Sequence, residues 1–218
     1  MPVGLVDLLR KATTLAASDA PPGIEVTLVS TARRLTVAAL GGVRLRCDAV
    51  LRDVAGSGLV LVPALDPDVL EHLALNGDVV PWLRAMYDVR ADVASACTGS
   101  LLLAEAGLLD RKGATTHWAF QDAFRQRYPQ VRLKPEAVVV DQGRVVPSGG
   151  ATSFLNLALY LVERVLGAEV ARAAARMFRV DVDKAPQSAQ QCSQRSRRTV
   201  TRASCAPRAS SRASCPAP

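Results

Sequence analysis

The chain has 218 residues, 49% hydrophobic and only 4% aromatic, with a formal net charge of +7. That is enough apolar material for one packed domain built on Ala, Val and Leu. It excludes a fully disordered chain, a collagen-like repeat and a small disulfide scaffold. The charge is unevenly placed. Residues 185–218 hold Arg195, Arg197, Arg198, Arg202, Arg208 and Arg212 and no acid, so residues 1–184 carry 21 basic against 20 acidic residues, a net of +1. The balance of the body therefore gives no support to a DNA-binding surface. The tail predicts at most weak, salt-sensitive nucleic-acid binding without base reading.

The first predicted element is a helix over Val3–Ala17, with apolar residues Val3, Val6, Leu9, Ala12 and Leu15. A β-branched strand, Ile24–Ser30, follows Pro21-Pro22-Gly23. Two short strands, Arg34–Ala39 and Val43–Cys47, flank a Gly41-Gly42 turn. Gly58–Val62 is a continuous apolar run closed by Pro63, as expected of a strand buried on both faces of a parallel sheet. Asp66 and Pro67 predict an N-cap and first turn of a helix that Asn76-Gly77 interrupts or ends, and Val79–Tyr87 a second helical stretch. Ala91–Ala96 is the next buried strand, leading through Cys97-Thr98-Gly99-Ser100 into helix Leu101–Ala106, with Gly107 at its end. Helix Trp118–Tyr128, strand pieces at Ala137–Val140 and Arg144–Val146, a long apolar helix Ala151–Leu166 and a final helix Ala168–Phe178 complete the body. Strands alternating with helices at this spacing predict a doubly wound α/β fold, with a mostly parallel sheet flanked by helices. Residues 185–218 have Val200 as their only large aliphatic residue and are expected to be a disordered tail after a domain spanning 1–184.

Four turns are candidates for the site. In the sharpest, a buried strand runs into Cys97, Thr98 and Gly99 as a helix begins, the arrangement of a nucleophile elbow. Amides of Thr98 and Gly99 at a helix start favour negative charge there, which lowers a thiol pKa and stabilises an oxyanion. His117, before Trp118, is the second candidate, as a partner for the thiol. Ser148-Gly149-Gly150 lies between a strand and a helix, and Pro63-Ala64 follows a buried strand; both are expected to line a ligand pocket with Gly99 and Trp118. The plainer alternatives are a small buried cysteine in a tight turn, a packed or capping imidazole and ordinary loop glycines. His72 reads as a solvated helix residue. No Cys/His spacing suggests a metal, no glycine pattern suggests a phosphate loop, and no cofactor is implied. The five cysteines (Cys47, Cys97, Cys192, Cys205, Cys215), with no secretory leader and no run approaching a membrane span of ~20 apolar residues, predict a cytoplasmic protein with reduced thiols.

The stretch ASACTGSLLLAEAGLLDRKGATTHWAF resembles the ThiJ/PfpI superfamily, and more narrowly the ligand-sensing domain of AraC-type regulators of the GlxA kind. RYPQVRL, VVVDQGRVVPSGGATSFLNLALYLVE, ARMFRVDVDKAPQS, GLVDLLRKA and GLVLVPALDP are similar to the same family. The resemblance implies the flavodoxin-like, class I amidotransferase fold. It places Cys97 at the elbow cysteine and His117 at the histidine facing it, while Thr98 replaces the histidine many protease-like members carry; a Cys-Thr pair also occurs in isonitrile hydratase. It further implies a strand before the first helix, bearing an acid in the enzymes, at or before Met1; Asp7 is not its substitute. Regulators of this kind continue into two helix-turn-helix units, for which no room is expected after Lys184. The match ends at Pro186-Gln187-Ser188, an abrupt change that fits a frameshift. The implied function is a small-molecule-sensing domain of a transcriptional regulator, homodimeric, away from membranes, and without specific DNA binding by this chain alone. Its alternative is a Cys97-dependent hydrolase, hydratase or glyoxalase-like enzyme.

Overall fold

The computed structural model describes residues 2–16, 23–39, 42–65, 78–150 and 152–180. The expected helix after Asp66-Pro67, the Asn76-Gly77 break, His72, Gly41 and the 185–218 tail lie outside the described residues.

Helix α1 (Pro2–Leu15) buries Leu5, Leu8, Leu9 and Ala12 along one stripe, the pattern that makes a helix amphipathic. It packs on α5 (Ser153–Leu166) and α6 (Ala168–Phe178), which bury Ala158, Leu159, Val162, Ala171 and Ala174 against it. Gly167, at φ +91°, makes the break between α5 and α6. Although α5 is nearly all apolar in its first three turns, Glu163, Arg164 and Val165 at its end are exposed, so it is buried on one side only.

The sheet at the centre has order β5-β6-β9, all parallel: β5 (Leu59–Val62), β6 (Asp92–Ala96) and β9 (Val145–Ser148). Side chains alternate across it. Val60, Val62, Val93 and Val145 face helices α2 (Val79–Asp88), α3 (Ser100–Glu105) and α4 (Gln121–Arg127). Ala94, Ala96 and Val146 face Leu157 and Leu161 of α5. Helices thus cover both faces, and the doubly wound α/β architecture stands. As the composition implies, the core is aliphatic; Phe124 is the one aromatic among the fully buried large side chains described.

Smaller pairings surround this sheet. β1 (Val29–Ser30) pairs in parallel with β4 (Ala49–Val50), and β7 (Gly113–Ala114) with β8 (Arg132–Leu133). β2 (Thr36–Ala38) and β3 (Arg44–Arg46) form an antiparallel ribbon. Three expectations change most in extent, beyond the shifted ends of other elements. The strand predicted over Ile24–Ser30 shrinks to its last two residues, because α1 takes the rest: Ile24 N–H donates to the Thr13 hydroxyl at 3.0 Å, and Arg10 donates to the Val26 carbonyl at 3.3 Å. The helix predicted over Trp118–Tyr128 begins as a 3-10 turn, Trp118–Phe120, capped by His117, and becomes α4 only at Gln121. In 137–140, only Val139 pairs, bridging Ser148 in the antiparallel sense, while Val140 N–H donates to Pro147. Among the described residues no helix is long and apolar enough to cross a membrane.

Candidate functional site at the rim of the sheet

The register Val62↔Ser95 and Ala96↔Ser148 brings the ends of three parallel strands level with one another. Carboxyl ends of parallel strands are where open α/β sheets bind ligands. Three of the four predicted turns therefore meet at one rim: Pro63-Ala64, Cys97-Thr98-Gly99 and Ser148-Gly149-Gly150.

Cys97 leaves β6 with φ +58°, in the left-handed region that a side chain adopts at a cost of about 1–2 kcal/mol. Its carbonyl accepts the Ser100 hydroxyl at 3.0 Å and the Thr116 hydroxyl at 3.5 Å, which hold the turn in that shape. The residue is 7% exposed. Burial pushes its thiol pKa up, outweighing the Thr98 amide and hydroxyl that pull it down. The sulfur is therefore a neutral thiol near pH 7. Cys97–Gly99 form a 3-10 turn that runs into the six-residue helix α3, and the pull of the Thr98 amide at its start is the smaller effect beside burial.

Thr98 is 3% exposed and its hydroxyl is tied to the Leu65 backbone. It accepts the Leu65 N–H at 2.8 Å and donates to the Leu65 carbonyl at 3.1 Å. This closed pair ties the chain beyond β5 to the elbow and fixes Pro63–Leu65 as a wall. Gly99 completes the wall. A Cβ built there would meet the Pro63 carbonyl oxygen at 2.6 Å and the Val62 carbonyl oxygen at 2.7 Å, so the elbow and β5 approach as closely as only glycine permits.

On the other side, Ser148, Gly149 and Gly150 are all buried, with Gly150 at φ +66° and Gly149 N–H donating to Val138 at 2.9 Å. The Ser148 hydroxyl is buried and has no hydrogen-bond partner among the described residues. Thr116 brings the 115–118 segment to the elbow through the Cys97 carbonyl. His117 is half-buried, its ring 5.3 Å from that of Trp118 and 6.1 Å from that of Phe120. Among the described residues no hydrogen bond joins its imidazole to the thiol. Nδ1 instead accepts the Ala119 N–H at 3.3 Å. Burial lowers the His117 pKa, so the ring is neutral near pH 7. With Nδ1 used as the acceptor, the ring proton is assigned to Nε2, which this arrangement presents as a donor. The sequence singled out the elbow, His117 and the glycine turns. It missed Leu65, Ser100 and Thr116, whose roles arise from contacts no spacing announces. No group of three His, Cys, Asp or Glu side chains able to hold a metal exists among the described residues.

Residues 4–164 match the DJ-1/PfpI family. The chain belongs to that family. Within it, this DJ-1/PfpI chain is 33% identical over 143 residues to the HTH-type transcriptional regulator CdhR of Pseudomonas aeruginosa, an alignment covering 65% of this chain and 41% of the regulator. It is 41% identical over 92 residues to isonitrile hydratase of Pseudomonas putida, covering 42% of this chain and 39% of that protein. Among solved structures, a putative transcriptional regulator from Vibrio parahaemolyticus superposes with a TM-score of 0.71 at 19% identity, covering 80% of this chain and 90% of the other; this likeness speaks for the fold alone. The DJ-1/PfpI chain spans about two fifths of the length of these curated relatives.

Proposed function

We propose that this chain acts as a small-molecule-sensing domain of an AraC-type regulator, binding its ligand at the elbow without turning it over. The observation that carries this reading is the geometry of the two central groups. Cys97 is buried, with no hydrogen bond to His117 and no ion-paired cation beside it among the described residues, and the His117 Nδ1 is already occupied by the Ala119 N–H. Thiol catalysis requires a thiolate or a general base within hydrogen-bond reach. A thiol, an imidazole N–H and the Ser148 hydroxyl instead suit recognition of a small polar molecule, with Pro63, Ala64, Gly99, Trp118, Gly149 and Gly150 shaping its pocket. In this reading Thr98 positions the Pro63–Leu65 wall, with its amide and hydroxyl also beside the Cys97 thiol. The regulator relatives support the assignment, and a cytoplasmic homodimer belongs to the same proposal.

The isonitrile hydratase relative supplies the competing reading and its probe. Incubation with an alkyl isonitrile is expected to give no formamide beyond the uncatalysed background, while a thermal-shift screen of small metabolites finds a ligand that raises Tm and is recovered unchanged. Formamide production that disappears in Cys97→Ser would establish the enzyme instead.

A further inference from the structure

The near-neutral charge of the body conceals a local concentration of cations on the β2–β3 ribbon. Between Glu25 and Asp48 the sequence holds Arg33, Arg34, Arg44 and Arg46 and no acidic or aromatic residue. The register pairs Thr36 with Arg46 and Ala38 with Arg44. One face of the ribbon is therefore two small exposed residues beside two exposed arginines, while Val37 and Leu45 form the opposite, half-buried face. The ladder is extended by Ala39 N–H to the Val43 carbonyl at 2.7 Å and Cys47 N–H to the Leu35 carbonyl at 2.6 Å, so the arginine-bearing face is held on paired backbone. None of the four arginines forms an ion pair among the described residues. The neighbouring carboxylate is committed elsewhere: Asp48 accepts the Leu28 N–H at 2.8 Å.

We infer that the arginine face of the β2–β3 ribbon docks on the phosphate backbone of duplex DNA, independently of base sequence. Arg44 and Arg46 lie two residues apart on one strand, about 6.8 Å. Successive phosphates of one strand rise about 3.4 Å along the helix axis but, wound around the duplex, lie about 7 Å apart through space, so the two guanidiniums match neighbouring phosphates. A guanidinium engages a phosphate through two parallel N–H bonds, and Thr36 and Ala38 leave room for a backbone to approach. The ribbon has no aromatic ring on which unstacked bases could rest, which disfavours RNA and single strands. Thr36 is the only polar uncharged side chain on the face, so no array of base-reading groups accompanies the arginines.

The test is fluorescence anisotropy of the full-length chain with a labelled 20-base-pair duplex of arbitrary sequence, in NaCl from 50 to 200 mM. Arg44→Ser/Arg46→Ser should weaken binding at 50 mM about fivefold or more and reduce the steepness of log Kd against log salt by about 2. Both positions are exposed, so the melting curve should be unchanged. Arg33→Ser/Arg34→Ser repeats the measurement on residues outside the ladder and should weaken binding in the same direction. The proposal is overturned if the wild-type chain fails to bind at 50 mM. It is equally overturned if both variants keep the wild-type affinity and slope, which would assign the binding to the tail arginines. Displacement of the duplex by poly-L-glutamate at equal charge would overturn it in favour of an acidic protein partner.

Discussion

Gly99→Ala should destabilise the protein by about 3 kcal/mol, at the upper end of what overpacking costs. The added Cβ would fall 2.6 Å from the Pro63 carbonyl oxygen and 2.7 Å from that of Val62. Both are backbone atoms, so no rotamer change relieves the clash. Val62 is laddered to Ser95 in β6, and Leu65, just beyond Pro63, is held by two hydrogen bonds to Thr98. For the carbonyls to retreat, β5 must slip against β6 or the Thr98–Leu65 pair must open, and either breaks the rim that holds the site. Urea unfolding followed by circular dichroism reads the loss. A change below about 0.5 kcal/mol, the range of ordinary surface substitutions, would mean that the elbow is free to move away from β5.

Phe124→Ala carries the second large expected effect, about 3–5 kcal/mol. Phe124 is 0% exposed and joins α4 to the core that α2 and α3 share with the sheet. Its ring lies 5.1 Å from that of Tyr128, whose hydroxyl donates to Glu105 of α3 at 2.6 Å while Arg127 pairs with the same carboxylate. Removing the ring leaves a cavity beneath that polar link, which cannot collapse while α3 and α4 are bridged. Melting of the two proteins under one condition checks this. A loss below about 1 kcal/mol would show that α4 is an appendage and not part of the core.

Much of the architecture is visible in the sequence because local and global signals agree. The run Gly58–Val62 and the stretch Ala91–Ala96 became the paired strands β5 and β6, and Ala168–Phe178 became α6 at the same limits. The elbow was visible for the same reason: a buried strand delivering a cysteine into small residues has few other geometries. What escaped was set by contacts distant in sequence. Thr13 and Arg10 of α1 took the backbone groups of Ile24 and Val26 that a strand partner would have used. Two-residue strands such as β4 and β7 are too short to show alternation. Thr98 and Leu65 are 33 residues apart, and nothing in either neighbourhood announces their pair. The chemistry of His117 turns on which ring nitrogen is occupied, and that depends on the Ala119 amide folding back over it. Charge showed the converse failure: averaging over 1–184 erased the cluster of Arg33, Arg34, Arg44 and Arg46 on and beside one ribbon.

In the sensing role proposed for this chain, Cys97 is a recognition group and not an activated nucleophile. The direct test is the pH dependence of its alkylation by iodoacetamide, followed by mass spectrometry on the tryptic peptide 91–111, in which it is the only cysteine. A midpoint above the ordinary free-thiol value of about 8.5 is expected; a midpoint below about 7.5, the range of catalytic cysteines, would contradict that role.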